Sequence, residues 1–185
     1  GGQGVAYLHG ISSVRWAREM VVAMALVARH ENTAHLNMAG PLFGSDLVSE
    51  LAKLDGWNQV TYLGLISRKE VAELFGRVRA GLVLFHPEPN HINAQPNKLF
   101  EYMSAGLPVI ASDFPLWRVI IEKHRCGLLV DPLDPDAISK AMIWILKNPG
   151  EAEEMGKRGV QAVQDCYSWS SEEKKLLGLY ARLLA

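Results

Sequence analysis

The sequence has only two cysteines, and neither belongs to a recognisable cysteine motif. Cys126 and Cys166 lie far apart, and neither belongs to a CxxC pair or to a Cys/His spacing typical of metal ligands. We therefore interpret Cys126 as a small core residue and Cys166 as incidental. The same usage is typical of a reducing compartment.

Long apolar runs and an excess of charge are also absent. No apolar run approaches the ~20 residues that span a bilayer, so the sequence predicts no transmembrane helix. The 19 Lys and Arg residues nearly balance the 20 Asp and Glu residues, which indicates neither a general nucleic-acid surface nor a polybasic membrane surface. With 185 residues, 49% of them hydrophobic, the chain is long enough for one domain with a sizeable core.

Short apolar runs alternate with segments of helical period along the chain. The apolar runs predict strands over Val5–His9, Ala34–Ala39, Gln59–Leu63, Gly81–Phe85, Pro108–Ala111 and Gly127–Val130. The periodic segments predict helices over Arg15–Arg29, Ser45–Leu54, Ser67–Arg79, Pro96–Ala105, Leu116–Lys123, Pro135–Lys147, Glu151–Gln164 and Glu172–Leu184. This order predicts an α/β fold, a parallel sheet of about six strands with helices on both faces. Ligands of such sheets bind outside the carboxyl ends of the strands.

The stretch from Asn90 to Ser112 carries the strongest signal for a binding site. Its polar loop leads into a helix that we expect Pro96 to begin and Gly106 to end. Lys98 in the first turn opposes the helix dipole, so it predicts either a bound anion or a solvated surface lysine. Glu101 either accepts hydrogen bonds from a sugar diol or is an ordinary surface carboxylate. A nucleotide-sugar site is the favoured interpretation of the pair.

Around these residues the sequence reads PNKLFEYMSAGLPVIASD. It resembles the donor-site signature of group 1 glycosyltransferases, the family-4 type with the GT-B fold. The resemblance extends over almost the whole chain, through VAYLHGISSVR, LNMAGP, VTYLGLISRKEVAELF and CGLLVDPLDPDAI. It implies that residues 1–185 form a Rossmann-like domain, the nucleotide-sugar-binding half of a GT-B enzyme, and that an acceptor-binding N-terminal domain is missing.

The family pattern has two glutamates separated by seven residues, and this sequence keeps the second. Glu101 stands at that position, which implies hydrogen bonds to the ribose hydroxyls of the nucleotide. Asn93 stands where the first glutamate contacts the donor sugar, and its amide keeps hydrogen-bonding capacity but no charge. The turn between them, with Gln95 and Asn97, would cradle phosphate through backbone N–H groups.

The family also holds the diphosphate with an arginine and a lysine after the first strand. Arg15 stands at the lysine position and implies, with Lys98, the positive charge that stabilises the leaving group; a solvated helix-start cation is the alternative. Gly10 stands at the arginine position, so only its backbone would line the site, and His9 replaces a usual glycine. Ile66 resembles the segment that binds the nucleobase through backbone atoms, and a plain turn is the alternative.

The resemblance implies a hexosyltransferase-like enzyme that moves a sugar from a nucleoside-diphosphate sugar to a glycan or lipid-linked acceptor. The expected reaction is retaining and independent of metal or other cofactors, because enzymes of this type do not use a DxD metal motif. The Asp134-Pro135-Asp136 triplet is interpreted as a helix cap rather than as a cation loop. The isolated domain is expected to be inactive. A degenerate, non-catalytic sugar-nucleotide-binding or interaction module is the alternative, and a sugar 2-epimerase is a weaker third.

The resemblance further implies a cytoplasmic protein without a nucleic-acid partner, whose full-length form associates peripherally with the inner face of the cell membrane. The last predicted helix, residues 172–184, carries an apolar stripe. The stripe consists of Leu176, Leu177, Tyr180, Leu183 and Leu184. We expect this helix to pack on the missing N-terminal domain.

Overall fold

A computed structural model describes residues 4–8, 10, 14–43 and 46–184, without the side chains of residues 14–16, 171, 174 and 175. One parallel sheet contains β1 (Gly4–Leu8), β2 (His35–Ala39), β3 (Val60–Gly64), β4 (Val78–Val83), β5 (Val109–Ser112) and β6 (Gly127–Val130). The strands lie in the order β3-β2-β1-β4-β5-β6, the doubly wound order of a Rossmann-like sheet. The predicted fold class is therefore confirmed.

Nine α-helices surround this sheet within the described residues. They are α1 (Val14–Ala28), α2 (Leu47–Leu51), α3 (Arg68–Phe75), α4 (Pro89–Ile92), α5 (Asn97–Ser104), α6 (Pro115–His124), α7 (Pro135–Lys147), α8 (Pro149–Ala162) and α9 (Trp169–Leu184). Short 3-10 and π segments lie at Trp57–Gln59 and Val163–Tyr167. None of the described helices is long and apolar enough to cross a membrane.

Side chains that alternate along the strands form two cores, one on each face of the sheet. Val5 and Tyr7 of β1 join the core under α1 and α7, whereas Ala6 joins the core under α5 and α6. Burial on both faces explains why the strands are continuously apolar in sequence. Cys126 is fully buried in the second core, as expected.

Several predicted boundaries are wrong. α3 ends at Phe75, and β4 begins at Val78 rather than Gly81, because Val78 pairs with Gly4 of β1 and extends the ladder. Pro96 is the N-cap of α5 rather than its first helical residue. α9 begins at Trp169 rather than Glu172.

The side chain of Tyr102 joins α5 to the carboxyl end of β1. Its hydroxyl donates to the Ala6 carbonyl at 3.1 Å and accepts from the Leu8 N–H at 3.0 Å. The ring lies against Gly81 of β4, where an added Cβ would come within 2.2 Å of ring atoms. β1 and β4 can therefore part above this point while the polar groups at the end of β1 stay bonded.

Both ends of the α5 segment are also held. After α5, the Gly106 N–H donates to the Met103 carbonyl and the Leu107 N–H to the Tyr102 carbonyl, each at 3.0–3.1 Å. Gly106 has φ of 73°, so this is the left-handed helix stop that the sequence predicts. Before α5, the indole N–H of Trp117 donates to the Ala94 carbonyl at 2.6 Å.

We expect Gly81→Ala to lower the free energy of unfolding by about 1–3 kcal/mol, because the new methyl group overlaps the Tyr102 ring. The midpoint of urea denaturation measures this effect. Gly150→Ala is the matched control, since no atom lies within 4 Å of its added Cβ. An unchanged midpoint for Gly81→Ala would show that the ring is not held against β4.

Candidate functional site

Lys98 projects from the first turn of α5 into the crevice between β1 and β4. Its Nζ lies 4.8 Å from the ring centroid of Tyr7 on β1 and 4.3 Å from that of Phe85, just after β4. β1 and β4 are neighbours, but the chain builds the sheet to one side after β1 and to the other side after β4. The amine therefore lies at the topological switch point of the sheet. Ligands of open α/β sheets bind at this point.

The Lys98 side chain is only 7% exposed, and its Nζ has no hydrogen-bond partner among the described residues. Burial lowers the pKa of this amine to about 7, and the nearby charge of Glu101 opposes part of that shift. The ring faces offset some of the cost of burying a cation, but they do not replace an anion. The alternative of a solvated surface lysine is therefore wrong.

Glu101 lies one turn further along α5, at the rim of a cavity of about 680 Å³. Its side chain is exposed, and no salt bridge found among the described residues involves it. The walls of the cavity are mainly apolar. They include Leu8, Ala39, Gly40, Leu65, Ile66, Val71, Phe75 and Ala105, together with Arg68 and Ser104.

A second cavity, of about 420 Å³, opens on the other side of Glu101. Gln95 and Asn97 line it, with Phe100, Tyr167 and Glu172 on the remaining walls. The predicted residues Glu101, Gln95 and Asn97 thus come together, and Ile66 meets Glu101 across the larger cavity. Lys98 lines neither cavity but lies beneath the same stretch of α5.

The N-terminus of α5 offers positive potential to this region. No side chain caps the helix, and no acidic residue lies in its first turn. No cap and no first-turn carboxylate of α5 therefore compensates its leading backbone N–H groups and its dipole. Together with the Lys98 amine, they make this end of α5 suited to an anion.

Asn93 lies on the surface, after the short helix α4, which the sequence does not predict. Its amide Nδ2 donates weakly, at 3.4 Å, to the carbonyl of Pro89 in the same segment. Next to this loop, His86 pairs with Glu19 of α1 at 3.2 Å, and both side chains are largely buried. This pair, which the spacing of residues 19 and 86 does not reveal, ties the loop to α1.

The remaining predicted residues lie around the end of β1. Gly10 faces Phe43, and a Cβ added there would approach the Phe43 ring to 2.9 Å. Arg15 belongs to the first turn of α1, but its side chain lies outside the described residues, as does the whole of His9. Their predicted roles remain predictions.

The arrangement suits a ligand with three chemical parts. An anionic group would find the Lys98 amine and the N-terminus of α5, a polyol would find the Glu101 carboxylate, and a flat apolar group would find the larger cavity. No group of three or more His, Cys, Asp or Glu side chains within the described ranges could hold a metal ion.

The strand order and the crevice at the switch point define a Rossmann-like class of α/β domain. The family model described as glycosyl transferases group 1 matches residues 6–162, so the chain belongs to this family. It is 31% identical over 122 residues to the D-rhamnosyltransferase WbpZ of Pseudomonas aeruginosa, covering 64% of this chain and 30% of that protein. It is 33% identical over 82 residues to a phosphatidyl-myo-inositol mannosyltransferase of Mycobacterium leprae, covering 44% and 22%. The chain thus matches less than a third of the length of either relative.

Solved structures share the fold. The C-terminal domain of LpcC, a group 1 glycosyl transferase family protein of Francisella tularensis, superposes with a TM-score of 0.75 at 19% identity, covering 90% of this chain and 86% of that one. HepE of Anabaena, solved in complex with UDP and glucose, superposes with a TM-score of 0.79 at 15% identity, covering 98% and 48%. None of these relatives favours a non-catalytic interaction module.

The Lys98→Met variant should be more stable than the wild type, and the difference should depend on pH. Because the pKa of Lys98 falls from 10.5 to about 7 on folding, the unfolded chain binds this proton more tightly between those values. The cost of burying the charge is therefore full below about pH 7 and disappears as the pH approaches the unfolded pKa.

Thermal unfolding at about pH 6 and about pH 9 measures this, with the exposed Lys140→Met as the control. The melting temperature should rise for Lys98→Met, and more at the lower pH. A lower melting temperature at both pH values would show that the amine is not buried without a partner.

Proposed function

We propose that this domain binds a nucleoside-diphosphate sugar and presents it for transfer to a glycan or lipid-linked acceptor. One observation carries the proposal. A buried lysine amine, without a hydrogen-bond partner in the described part of the chain, lies at the switch point, one turn before a carboxylate on the rim of an apolar cavity. A diphosphate supplies the missing anion, and the ribose and base that follow it suit the carboxylate and the cavity.

The diphosphate is held by Lys98 and by the N-terminal backbone of α5 around Gln95 and Asn97. Arg15 adds a second cation, and Gly10 leaves room for the phosphates beside the end of β1. Departure of the nucleoside diphosphate is the costly step, and these groups stabilise the negative charge that develops on it. Their positive charge is the reason to propose that no divalent metal or other cofactor is required.

The nucleoside occupies the larger cavity. The Glu101 carboxylate accepts charge-assisted hydrogen bonds from the ribose hydroxyls. The base lies against the apolar walls and bonds to the backbone near Ile66. The donor sugar extends toward the loop before α5, where the amide of Asn93 contacts it in place of a carboxylate. The reaction is retaining and hexosyltransferase-like.

Transfer also needs a second wall to the cleft, which an N-terminal acceptor-binding domain supplies. The apolar stripe of α9 is exposed, with Leu177 at 61% and Leu183 at 71%. Such a stripe is poorly stable in water and suits a covering domain. The isolated domain is accordingly inactive in transfer, and the full-length protein acts in the cytoplasm, peripherally at the inner face of the membrane.

Glu101→Ala should weaken nucleotide binding by about 1.5–3 kcal/mol, or roughly 10- to 150-fold, because charge-assisted hydrogen bonds to the ribose are lost. Calorimetric titration with UDP, GDP and ADP in the presence of EDTA measures this. Glu153→Ala is the control, since Glu153 lies on the surface of α8 and pairs with Lys157. Equal affinities for wild type and Glu101→Ala, or binding that needs added metal, would contradict the proposal.

In the full-length protein, Leu177→Asp with Leu183→Asp should lower the transfer rate at least tenfold, because the charges disrupt the contact with the N-terminal domain. Nucleotide affinity should change less than twofold, since α9 does not line the larger cavity. Val119→Asp, at an exposed apolar position of α6, is the matched control. Full transfer activity in the double variant would exclude α9 as the contact.

A further inference from the structure

The described groups around the Lys98 amine do not neutralise its charge. Tyr7 and Tyr102 are buried, and burial raises the pKa of both phenols far above neutral, so neither is an anion. Phe85 contributes only a ring face. The charge of Glu101, on the same helix, favours the charged form of the Lys98 amine, but the Glu101 carboxylate makes no hydrogen bond to that amine.

The described titratable groups beyond this shell have contacts of their own. Glu19 of α1 bonds to the His86 ring at 3.2 Å. The His91 ring packs against the ring of Phe85, with 4.9 Å between the two centroids. A buried amine without an acceptor is more stable neutral than charged.

A diphosphate reverses this balance when it enters. Its oxygens carry full negative charge and accept hydrogen bonds, both of which favour the ammonium over the amine. We propose that the site binds its sugar nucleotide together with one proton, which the lone pair of Lys98 Nζ takes from the solvent as the diphosphate enters the crevice between β1 and β4. The proton returns to solvent when the nucleoside diphosphate leaves. This inference rests on the proposed function.

The coupling has a defined size and pH window. Because burial lowers the pKa of the free amine to about 7, about nine tenths of the molecules hold a neutral amine at about pH 8, and about one tenth do at about pH 6. Binding should therefore take up about 0.9 proton at the higher pH and about 0.1 at the lower. The dissociation constant should be about tenfold larger at the higher pH, because binding must then also protonate the amine.

Isothermal titration calorimetry in buffers of different ionisation enthalpy measures the proton uptake directly. The probes are UDP-glucose and GDP-mannose, because a sugar diphosphate has no phosphate group that titrates near neutral pH, unlike free UDP or GDP. The titrations are made at about pH 6 and about pH 8, in parallel with the dissociation constant. His86→Gln and His91→Gln should keep the uptake, which separates Lys98 from the two histidines of the adjacent loop.

Lys98→Arg is the decisive variant, because a guanidinium stays charged throughout this range. It should bind with uptake below about 0.2 proton and with less than a twofold change between the two pH values. If the larger group does not fit, Lys98→Met should bind at least tenfold more weakly than wild type at the lower pH, with no pH dependence.

Wild-type binding without proton uptake at the higher pH would overturn this inference and leave the proposed function intact. Uptake that persists in Lys98→Met would overturn it as well, because another group would then carry the proton. Failure of both sugar nucleotides to bind at either pH would instead overturn the proposed function, and the inference with it.

Discussion

The parting of β1 and β4 at their carboxyl ends is the constraint on which the site depends. Paired parallel strands leave no room for a ligand between them, so the backbone groups that lose their ladder partners need others. Tyr102 bonds the end of β1, and the hydroxyl of Ser112 accepts from the Phe85 N–H and donates to the Phe85 carbonyl, each at 2.9 Å. The crevice is thus open, and these backbone groups of its walls keep hydrogen-bond partners.

The hydrogen bonds between Tyr102 and β1 also position the side chains of the candidate site. Lys98 precedes Tyr102 by four residues, so both side chains leave α5 on its inner face. Fastening Tyr102 to β1 therefore brings the lysine amine into the crevice, while Glu101 points toward the cavity rim. Burial of this amine without a hydrogen-bond partner in the described residues lowers the stability of the fold, and an anion bound beside it would offset that cost.

The sequence departs from the family pattern at one sugar position and at one diphosphate position. Asn93 and Gly10 lack the charges that the family has at these positions, whereas Glu101 is kept. On α5, the N-terminus of the helix and the Lys98 amine supply positive potential to this site.

The sequence by itself determined the class of fold, the strands to within a few residues and the identity of the segment that carries the site. Apolar runs, capping residues and the stop at Gly106 are local signals, so they can be read without coordinates. Only the tertiary structure decided that Lys98 is buried, although its spacing from Leu99, Tyr102 and Met103 places it on their face. The Glu19–His86 pair and the hydrogen bonds of Tyr102 to β1 join residues that lie far apart in the chain. Local periodicity carries no information about such contacts.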